Sequence, residues 1–298
     1  MEIGETLDQA VTQLRNEGVD SPRLDSELLL AHVLGVNRAA ILAHPNQRLT
    51  PKALTRFRDL VNRRARREPL AYIVGHREFH GLDLCLNPHV LIPRPETELL
   101  VEHALKLARG LASHPRIVDV GAGSGAIAVT LAVHLPQARV YALDASPEAL
   151  AIVAENAERH GVSDRVRCLQ GDLLEPLARI EPAPNGATTE PSWAGQADLI
   201  TANLPYVTTD EWGALAPEIR EYEPRAALDG GPDGLNLIRR LLATAGPFLR
   251  PGGSLLLEIG ASQGEAVTAL AQASLAPAET NLYRDYAGLD RLVVVRQR

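Results

Sequence analysis

The sequence is poor in the residues that mark several common classes of protein. It has only two cysteines among 298 residues, Cys85 and Cys168, and both lie in apolar, strand-like segments. We therefore expect small core residues in a reducing compartment and no disulfide framework. The nine histidines show no metal-ligand spacing, and we find no nucleophile elbow of the serine-hydrolase type. Neither a metal site nor a serine-hydrolase mechanism is expected.

Long hydrophobic runs and an excess of positive charge are also missing. No window approaches the ~18 consecutive apolar residues of a membrane span, and the acidic, amphipathic N-terminus lacks the layout of a signal peptide. We therefore expect a cytoplasmic protein that does not enter a membrane. The 37 acidic residues outnumber the 30 basic ones, which gives a net charge of −7. Because phosphate binding relies on Lys and Arg, we expect no direct binding of nucleic acid.

The first part of the chain carries helix signals. Ser21-Pro22 and Thr50-Pro51 each combine an N-cap residue with proline at the first helical position. In the helix after Ser21, the residues Leu24, Leu28 and Val33 are predicted to share the core-facing side. Residues 1–70 are therefore predicted to form a small helical bundle.

The pattern of polar and apolar residues changes twice further along the chain. Residues 71–93 show short polar–apolar alternation and are predicted to form a β-hairpin that links two domains. Residues 94–298 alternate between helix and strand patterns, which predicts an α/β domain with a parallel sheet covered by helices on both faces. Residues 181–195, rich in Pro, Ala, Gly and Thr, are predicted to be a surface loop insertion.

A glycine-rich loop follows the first predicted strand of the α/β domain. It reads Gly121-Ala122-Gly123-Ser124-Gly125 and comes directly after Asp119-Val120. Glycines at such a turn let the backbone approach a ligand closely. The spacing is G-x-G-x-G, whereas a dinucleotide site would favour G-x-G-x-x-G. We therefore predict a site for S-adenosylmethionine, which has no phosphate; the alternative is a purely structural turn.

Three acidic residues near strand ends could complete that cofactor site. Asp119 could hold the ammonium group, directly or through water, and Asp144 could accept hydrogen bonds from both ribose hydroxyls. Asp172 could reach the adenine amino group. In an open α/β sheet, ligands lie beyond the carboxyl ends of the strands, where Asp144 and Asp172 fall. For Asp144 alone, a helix N-cap or a surface acid is the alternative interpretation.

A second motif, Asn203-Leu204-Pro205-Tyr206, ends the strand predicted over residues 198–202. The Asn203 side-chain oxygen and the Leu204 carbonyl can each accept a hydrogen bond from a planar NH₂ group, and Tyr206 offers a ring face for stacking. Such a grip would aim the nitrogen of an amide or an adenine at a methyl donor. Asn203, Pro205 and Tyr206 are thus the predicted catalytic residues. The alternative is a strand-ending turn without a catalytic role.

Two other groups of polar residues allow two interpretations each. The arginines between residues 56 and 67 could form a docking surface, or a solvated helix end favoured by the helix dipole. They are Arg56, Arg58, Arg63, Arg64, Arg66 and Arg67. Glu96 and Glu98 could face the cofactor or be first-turn helix acids, and we favour the first-turn interpretation. Arg94, between two prolines, has no role that the sequence defines.

These motifs together resemble the peptide chain release factor glutamine methyltransferases (HemK/PrmC type), and the resemblance covers nearly the whole chain. It includes Pro93-Arg94-Pro95-Glu96-Thr97-Glu98, the Gly121–Gly125 loop and Asn203–Tyr206. It also includes Gly230-Gly231-Pro232-Asp233-Gly234 and Glu258-Ile259-Gly260 with Gln263-Gly264. The resemblance implies an α/β, Rossmann-like class I S-adenosylmethionine methyltransferase domain with a small N-terminal helical bundle and a linking β-hairpin.

The resemblance also implies a substrate and its contacts. Members of this family methylate the side-chain amide nitrogen of glutamine in the Gly-Gly-Gln motif of release factors, and the N-terminal bundle helps to dock the release factor. By position, the cofactor contacts would be Gly121–Gly125, Asp144, Asn203 and Leu173, the last near the adenine. The glutamine contacts would be Asn203–Tyr206.

One residue departs from the family pattern. The family usually has Asn-Pro-Pro-Tyr, whereas Leu204 occupies the second position here. Asn-Leu-Pro-Tyr is familiar from ribosomal RNA adenine dimethyltransferases, so an adenine N6-methyltransferase acting on RNA or DNA is the alternative function. A non-catalytic S-adenosylmethionine-binding module is a further one. Leu204 keeps its backbone carbonyl, although the fixed φ of a proline is lost.

Overall fold

The computed structural model describes residues 1–111, 114–180 and 193–298. Contacts within the chain define two compact units. The first unit combines Met1–His76 with Ala216–Tyr222, and the second combines Arg77–Leu215 with Glu223–Arg298. The loop insertion predicted over 181–195 lies outside the described residues except for its last three positions. Within the described ranges, no helix is long and apolar enough to cross a membrane.

The first unit consists of helices. They are α1 (Ile3–Asn16), α2 (Pro22–Leu34), α3 (Arg38–Ala43), α4 (Pro51–Ala65), α5 (Leu70–Val74) and, from much later in the chain, α10 (Pro217–Tyr222). Thr50 caps α4 as predicted, because its hydroxyl oxygen accepts a hydrogen bond from the backbone N–H of Ala53 at 3.2 Å. Gly35 ends α2 in the left-handed conformation.

The face predicted for α2 is only partly right, since Val33 packs against the core of the first unit but Leu24 does not. Leu24 is 41% exposed, whereas Leu29 and Leu30 are fully buried in the core of this unit. Leucines are frequent along this helix, so their spacing alone is compatible with more than one buried face. The polar residues Asp25 and Glu27 are buried on the same helix, so its buried side carries carboxylates as well as leucines.

Those buried carboxylates pair with arginines. Arg64, itself 7% exposed, donates to Asp25 at 2.7 Å and to Glu218 of α10 at 3.2 Å. Arg67 also reaches Glu218, at 2.7 Å, and Arg63 pairs with Glu68. Three arginines of the basic run are thus engaged inside the first unit, and α10 is attached to that unit by two of them.

The second unit contains a small hairpin and a large sheet with helices. The strands are β1 (His76–Phe79), β2 (Leu82–Cys85), β3 (Arg116–Val120), β4 (Arg139–Asp144), β5 (Val166–Gln170), β6 (Ala197–Ala202), β7 (Leu249–Glu258), β8 (Ala278–Arg284) and β9 (Asp290–Gln297). The helices are α6 (Thr97–Ala108), α7 (Ala126–His134), α8 (Pro147–Arg159), α9 (Glu175–Ala178), α11 (Asn236–Ala245) and α12 (Gly264–Ser274). His76, the first residue of β1, is counted with the first unit.

β1 and β2 form the predicted hairpin, although residues 70–74 are helical and not part of it. The seven other strands form one sheet in the order β5-β4-β3-β6-β7-β9-β8. The first five of these are parallel, as predicted, but β9 runs antiparallel to β7 and β8 antiparallel to β9. The all-parallel prediction is therefore wrong at this end, where a hairpin replaces a helical crossover. The predicted α/β, Rossmann-like fold class is confirmed.

The register of the sheet brings four strand ends to one edge. Val120 at the end of β3 lies opposite Leu143 of β4 and Ala202 of β6, and Asp144 lies opposite Gln170 of β5. The chain runs from β3 outward through β4 to β5, and then returns to the other side of β3 with β6. Such a reversal of strand order opens a crevice at the carboxyl ends of the two central strands.

Candidate functional site

The glycine-rich loop is anchored to the end of β4. The backbone N–H groups of Gly121 and Ala122 both donate to the carbonyl of Leu143, at 2.8 and 3.0 Å. The next N–H, of Gly123, donates to the Asp144 carboxylate at 2.9 Å. Gly121, Gly123 and Gly125 have φ of +74°, +54° and +80°, a region that only glycine enters without strain. The alternation of glycines therefore permits this turn.

A cavity of about 250 Å³ lies at this loop. Its lining contains most of the predicted site residues: Gly121, Ala122, Gly123, Ser124, Asp144, Asp172, Leu173, Asn203, Leu204 and Pro205. Three predicted residues are not part of that lining, namely Asp119, Gly125 and Tyr206. The sheet thus brings the glycine loop and the Asn203 motif, which are about 80 residues apart in the chain, to one cavity.

Asp144 and Asp172 lie on the β4–β5 side of the cavity. Asp144 accepts the N–H of Gly123 with one oxygen and that of Ser146 with the other, each at 2.9 Å. The N-cap of α8 is Ser146, whose hydroxyl accepts from Ala149 at 3.0 Å, so Asp144 is not that cap. Asp172 is half-exposed and pairs with Arg240. Both carboxylates keep lone pairs that can accept further hydrogen bonds.

Asp119 lies behind the loop. Its side chain is fully buried and accepts hydrogen bonds from the Thr201 hydroxyl at 2.9 Å and from the backbone N–H of Ala128 at 3.2 Å. Burial raises its pKa to about 7, against the opposing effect of these two donors. The carboxyl ties β3 to β6 and to the start of α7. Its predicted contact with a cofactor ammonium stays a prediction.

The Asn203 motif presents two hydrogen-bond acceptors. The Asn203 side-chain NH₂ donates to the hydroxyl of Thr97, with Nδ2 and Oγ1 3.1 Å apart. Among the described residues, no donor makes a hydrogen bond to Asn203 Oδ1 or to the Leu204 carbonyl. The Leu204 side chain is buried and packs against the loop, 3.1 Å from where a Cβ on Gly121 would lie. The leucine thus fixes the spacing between the two motifs.

Tyr206 is turned away from this cavity. Its hydroxyl donates to the buried carboxyl of Glu258 at 3.2 Å, and its carbonyl accepts from the side chain of Gln263 at 2.9 Å. Burial, with the nearby Glu258, raises the pKa of Tyr206. The residue lines a neighbouring, more open cavity of about 710 Å³. Tyr206 therefore anchors the end of the motif, and its stacking on a substrate stays a prediction.

Several residues that hold the two motifs were not singled out from the sequence. Asn156 of α8 donates to the Ser124 carbonyl at 2.9 Å and also makes two hydrogen bonds to the backbone of Cys85. Gln263 holds the Tyr206 carbonyl. Gly230 leaves no room for a side chain, since a Cβ there would lie 2.6 Å from the Pro205 carbonyl oxygen. Gly230 and Gln263 both stand in motifs that carry the family resemblance, whereas Asn156 had no local signal.

The Pro-Arg-Pro-Glu-Thr-Glu segment enters α6 beside the cavity. Arg94 pairs with Glu223, which is almost fully buried, at 2.5 Å, and Glu223 also accepts the backbone N–H of Ile92 at 3.2 Å. Arg94 and Thr97 line the cavity. Glu98 is in the first turn of α6, as the favoured interpretation had it, and accepts the backbone N–H of His80 at 3.2 Å. The segment thus forms part of the cavity wall and is held by a buried carboxylate.

Comparison with known proteins places the whole chain. Residues 5–75 match the family model of the PrmC N-terminal domain, and residues 117–222 match a model of a methyltransferase domain. A release factor glutamine methyltransferase from Moorella thermoacetica is 44% identical over 298 residues, which cover 100% of this chain and 99% of the relative. The chain belongs to the release factor glutamine methyltransferase family. The resemblance carried by the motifs is thereby confirmed, and the chain is a methyltransferase.

A second relative matches most of the chain. The release factor glutamine methyltransferase of Geobacter sulfurreducens is 44% identical over 265 residues, covering 89% of this chain and 86% of the relative. A solved methyltransferase structure from Pyrococcus furiosus aligns at 18% identity with a TM-score of 0.48, over 79% of this chain and 98% of that one.

Proposed function

We propose that this protein transfers a methyl group from S-adenosylmethionine to the side-chain amide nitrogen of glutamine in the Gly-Gly-Gln motif of peptide chain release factors. The observation that carries the proposal is the pair of acceptors, Asn203 Oδ1 and the Leu204 carbonyl, at a cavity that also contains the glycine loop. The names of the full-length relatives support glutamine as the target and do not favour the adenine alternative. Because release factors act in translation, we place the reaction in the cytoplasm.

The residues of the cavity fit S-adenosylmethionine. A Cβ on Gly123 would meet nothing within 4 Å, so this part of the loop leaves open space for a ligand against bare backbone. Asp144 can accept from ribose hydroxyls with its remaining lone pairs, and Asp172 and Leu173 border the same side. The lining is otherwise largely apolar, as a site for an adenosyl group requires.

The acceptor residues would act by positioning. S-adenosylmethionine, when bound, supplies a methyl group on a positively charged sulfur, which is a good leaving group. A carboxamide nitrogen is a poor nucleophile because its lone pair is delocalised. Asn203 Oδ1 and the Leu204 carbonyl would each accept a hydrogen bond from one N–H of the amide. They would thereby direct the nitrogen lone pair at the methyl group. The nitrogen becomes strongly acidic once it gains a fourth bond, so no side-chain base is needed.

Leu204 is compatible with this mechanism. Pro205 favours an extended conformation at the preceding residue, and the buried Leu204 side chain restrains it further against Gly121. The packing of leucine would thus supply part of the rigidity that a proline provides at this position in the usual family motif. We therefore expect glutamine methylation to be retained with Leu204.

The test is to incubate the protein with labelled S-adenosylmethionine and either a release factor or ribosomal RNA. We expect label in the release factor, on the glutamine of a Gly-Gly-Gln peptide identified by mass spectrometry. Label in the nucleic acid alone would refute the proposal in favour of adenine methylation.

Replacing Asn203 separates catalysis from mere cofactor binding. Asn203→Ala should lower kcat by about 100-fold or more, because one of two acceptors is lost, while cofactor affinity falls less. Asn281→Ala, at an exposed position of β8, is the matched control and should leave both quantities unchanged. Full activity of Asn203→Ala would contradict a catalytic role for the motif.

A further inference from the structure

Thr97, the first residue of α6, is distant in sequence from Asn203–Tyr206, which we call the acceptor motif, but contacts it in the structure. It is buried, with 3% of its surface exposed, and it borders the cavity. Its hydroxyl oxygen accepts a hydrogen bond from Asn203 Nδ2 at 3.1 Å. This bond engages the donor end of the Asn203 amide, which leaves the acceptor end free.

The orientation of that amide decides whether the acceptor motif can work. A carboxamide has an oxygen that accepts and an NH₂ that only donates. If Asn203 were rotated by half a turn about its last torsion, it would present NH₂ to the NH₂ of a substrate, and two donors cannot form a hydrogen bond. The same rotation is sterically almost free, because the two ends of the amide have nearly the same size. A specific partner must therefore select one orientation.

Thr97 is the partner that the structure provides. Its buried hydroxyl oxygen accepts from Asn203 Nδ2, and among the described residues no group donates to Asn203 Oδ1. The amide is therefore held by its donor end, and removal of the hydroxyl would remove the side-chain contact that distinguishes its two orientations.

We propose that Thr97 is a positioning residue, whose hydroxyl holds the Asn203 amide so that Oδ1 faces the methyl-acceptor substrate. The other end of the acceptor motif is held separately, because the buried carboxyl of Glu258 accepts the Tyr206 hydroxyl at 3.2 Å. The inference rests on the proposed function for its consequence in catalysis. The orientation itself is a property of the free protein.

The variants Thr97→Val and Thr97→Ser test the proposal. Valine keeps the shape of threonine and removes the hydroxyl, whereas serine keeps the hydroxyl. We expect Thr97→Val to lower kcat about 10- to 50-fold, as for a loss of preorganisation near the reacting group, with the Kd for S-adenosylmethionine within about threefold of the wild-type value. Thr97→Ser should recover most of kcat. Combining Thr97→Val with Asn203→Ala should cost no more than Asn203→Ala alone, because both act on one hydrogen bond.

Thr130→Val is the matched control. Thr130 is a fully buried threonine of α7 whose hydroxyl has no hydrogen-bond partner among the described residues. The same chemical change there should leave kcat unchanged. Thermal unfolding of all variants establishes that they are folded, and Thr97→Ala replaces Thr97→Val if valine prevents folding.

A second measurement does not depend on activity. In the NMR spectrum of the free protein, the side-chain NH₂ signals of Asn203, assigned by their loss in Asn203→Ala, should be protected from hydrogen exchange. Thr97→Val should remove that protection, and Thr97→Ser should keep it. Unprotected signals in the wild type, or wild-type kcat in Thr97→Val, would overturn the inference. A wild-type protein with protected signals that does not methylate release factors would instead refute the proposed function alone.

Discussion

Gly230→Ala should slow methyl transfer without changing any side chain that lines the cavity. A Cβ at Gly230 would lie 2.6 Å from the carbonyl oxygen of Pro205 and equally 2.6 Å from that of Gly234. Both contacts are about 0.8 Å shorter than the 3.4 Å at which ordinary contact begins. Because both neighbours are backbone atoms, neither can move aside as the end of a flexible side chain could. The acceptor motif must therefore shift by several tenths of an ångström.

A shift of this size acts on rate more than on cofactor binding. A displacement approaching 1 Å at a reacting group can cost about 100-fold in rate, so we expect a fall in kcat of about 10- to 100-fold for Gly230→Ala. Overpacking should also lower the free energy of unfolding by about 1–3 kcal/mol. The affinity for S-adenosylmethionine should change little, since Gly230 does not border the cavity at the glycine loop.

The assay is steady-state methylation of a release factor, combined with calorimetric titration of S-adenosylmethionine and thermal unfolding. Gly213→Ala is the control, because a Cβ at Gly213 would meet nothing within 4 Å and its φ is ordinary. It should match the wild type in all three measurements. A folded Gly230→Ala protein with wild-type kcat would refute the argument that Gly230 fixes the acceptor motif.

Two further predictions concern buried charge. Arg64→Met should lower the free energy of unfolding, measured by urea denaturation, by about 3 kcal/mol, because buried Asp25 loses its ion pair. The control Arg179→Met removes an exposed ion pair and should lower it by less than about 0.5 kcal/mol. Equal losses in the two variants would contradict the importance of burial. Asp119 has a folded-state pKa of about 7, above its ordinary value of 3.8, so its stabilising contribution is complete below pH 3.8 and is lost as the pH rises through 7. Asp119→Asn should therefore reduce the fall in unfolding free energy between pH 5 and pH 8 by roughly 2–3 kcal/mol; an unchanged pH dependence would show that Asp119 does not titrate in this range.

The local parts of the fold could be predicted from sequence. Helix starts at Thr50-Pro51 and the glycine loop have signatures within a few residues, and the structure places both as expected. The antiparallel end of the sheet has no such signature, because the residue pattern of a strand does not indicate whether its neighbour runs parallel or antiparallel to it. Asp119 illustrates the same limit, since it lies before the last residue of β3 and its side chain turns into the protein, where Thr201 and Ala128 bind it.

The hydrogen-bond partners that orient the residues of the site could not be predicted in this way. The hydrogen bond from Asn203 to Thr97 joins residues 106 positions apart, and that from Tyr206 to Glu258 joins residues 52 positions apart. Motif reasoning identified most of the predicted residues that line the cavity. The partners that orient them become visible only when the sheet brings distant strand ends together.

The short helix Pro217–Tyr222 has a consequence for dissecting the molecule. It belongs to the first unit, while the chain on both sides of it belongs to the second. An N-terminal fragment that stops at His76 would therefore be incomplete, since it would lack the Glu218 carboxylate that Arg64 and Arg67 both bind. Because residues 216–222 of the first unit lie within the sequence of the second, a single cut of the chain cannot yield both units intact.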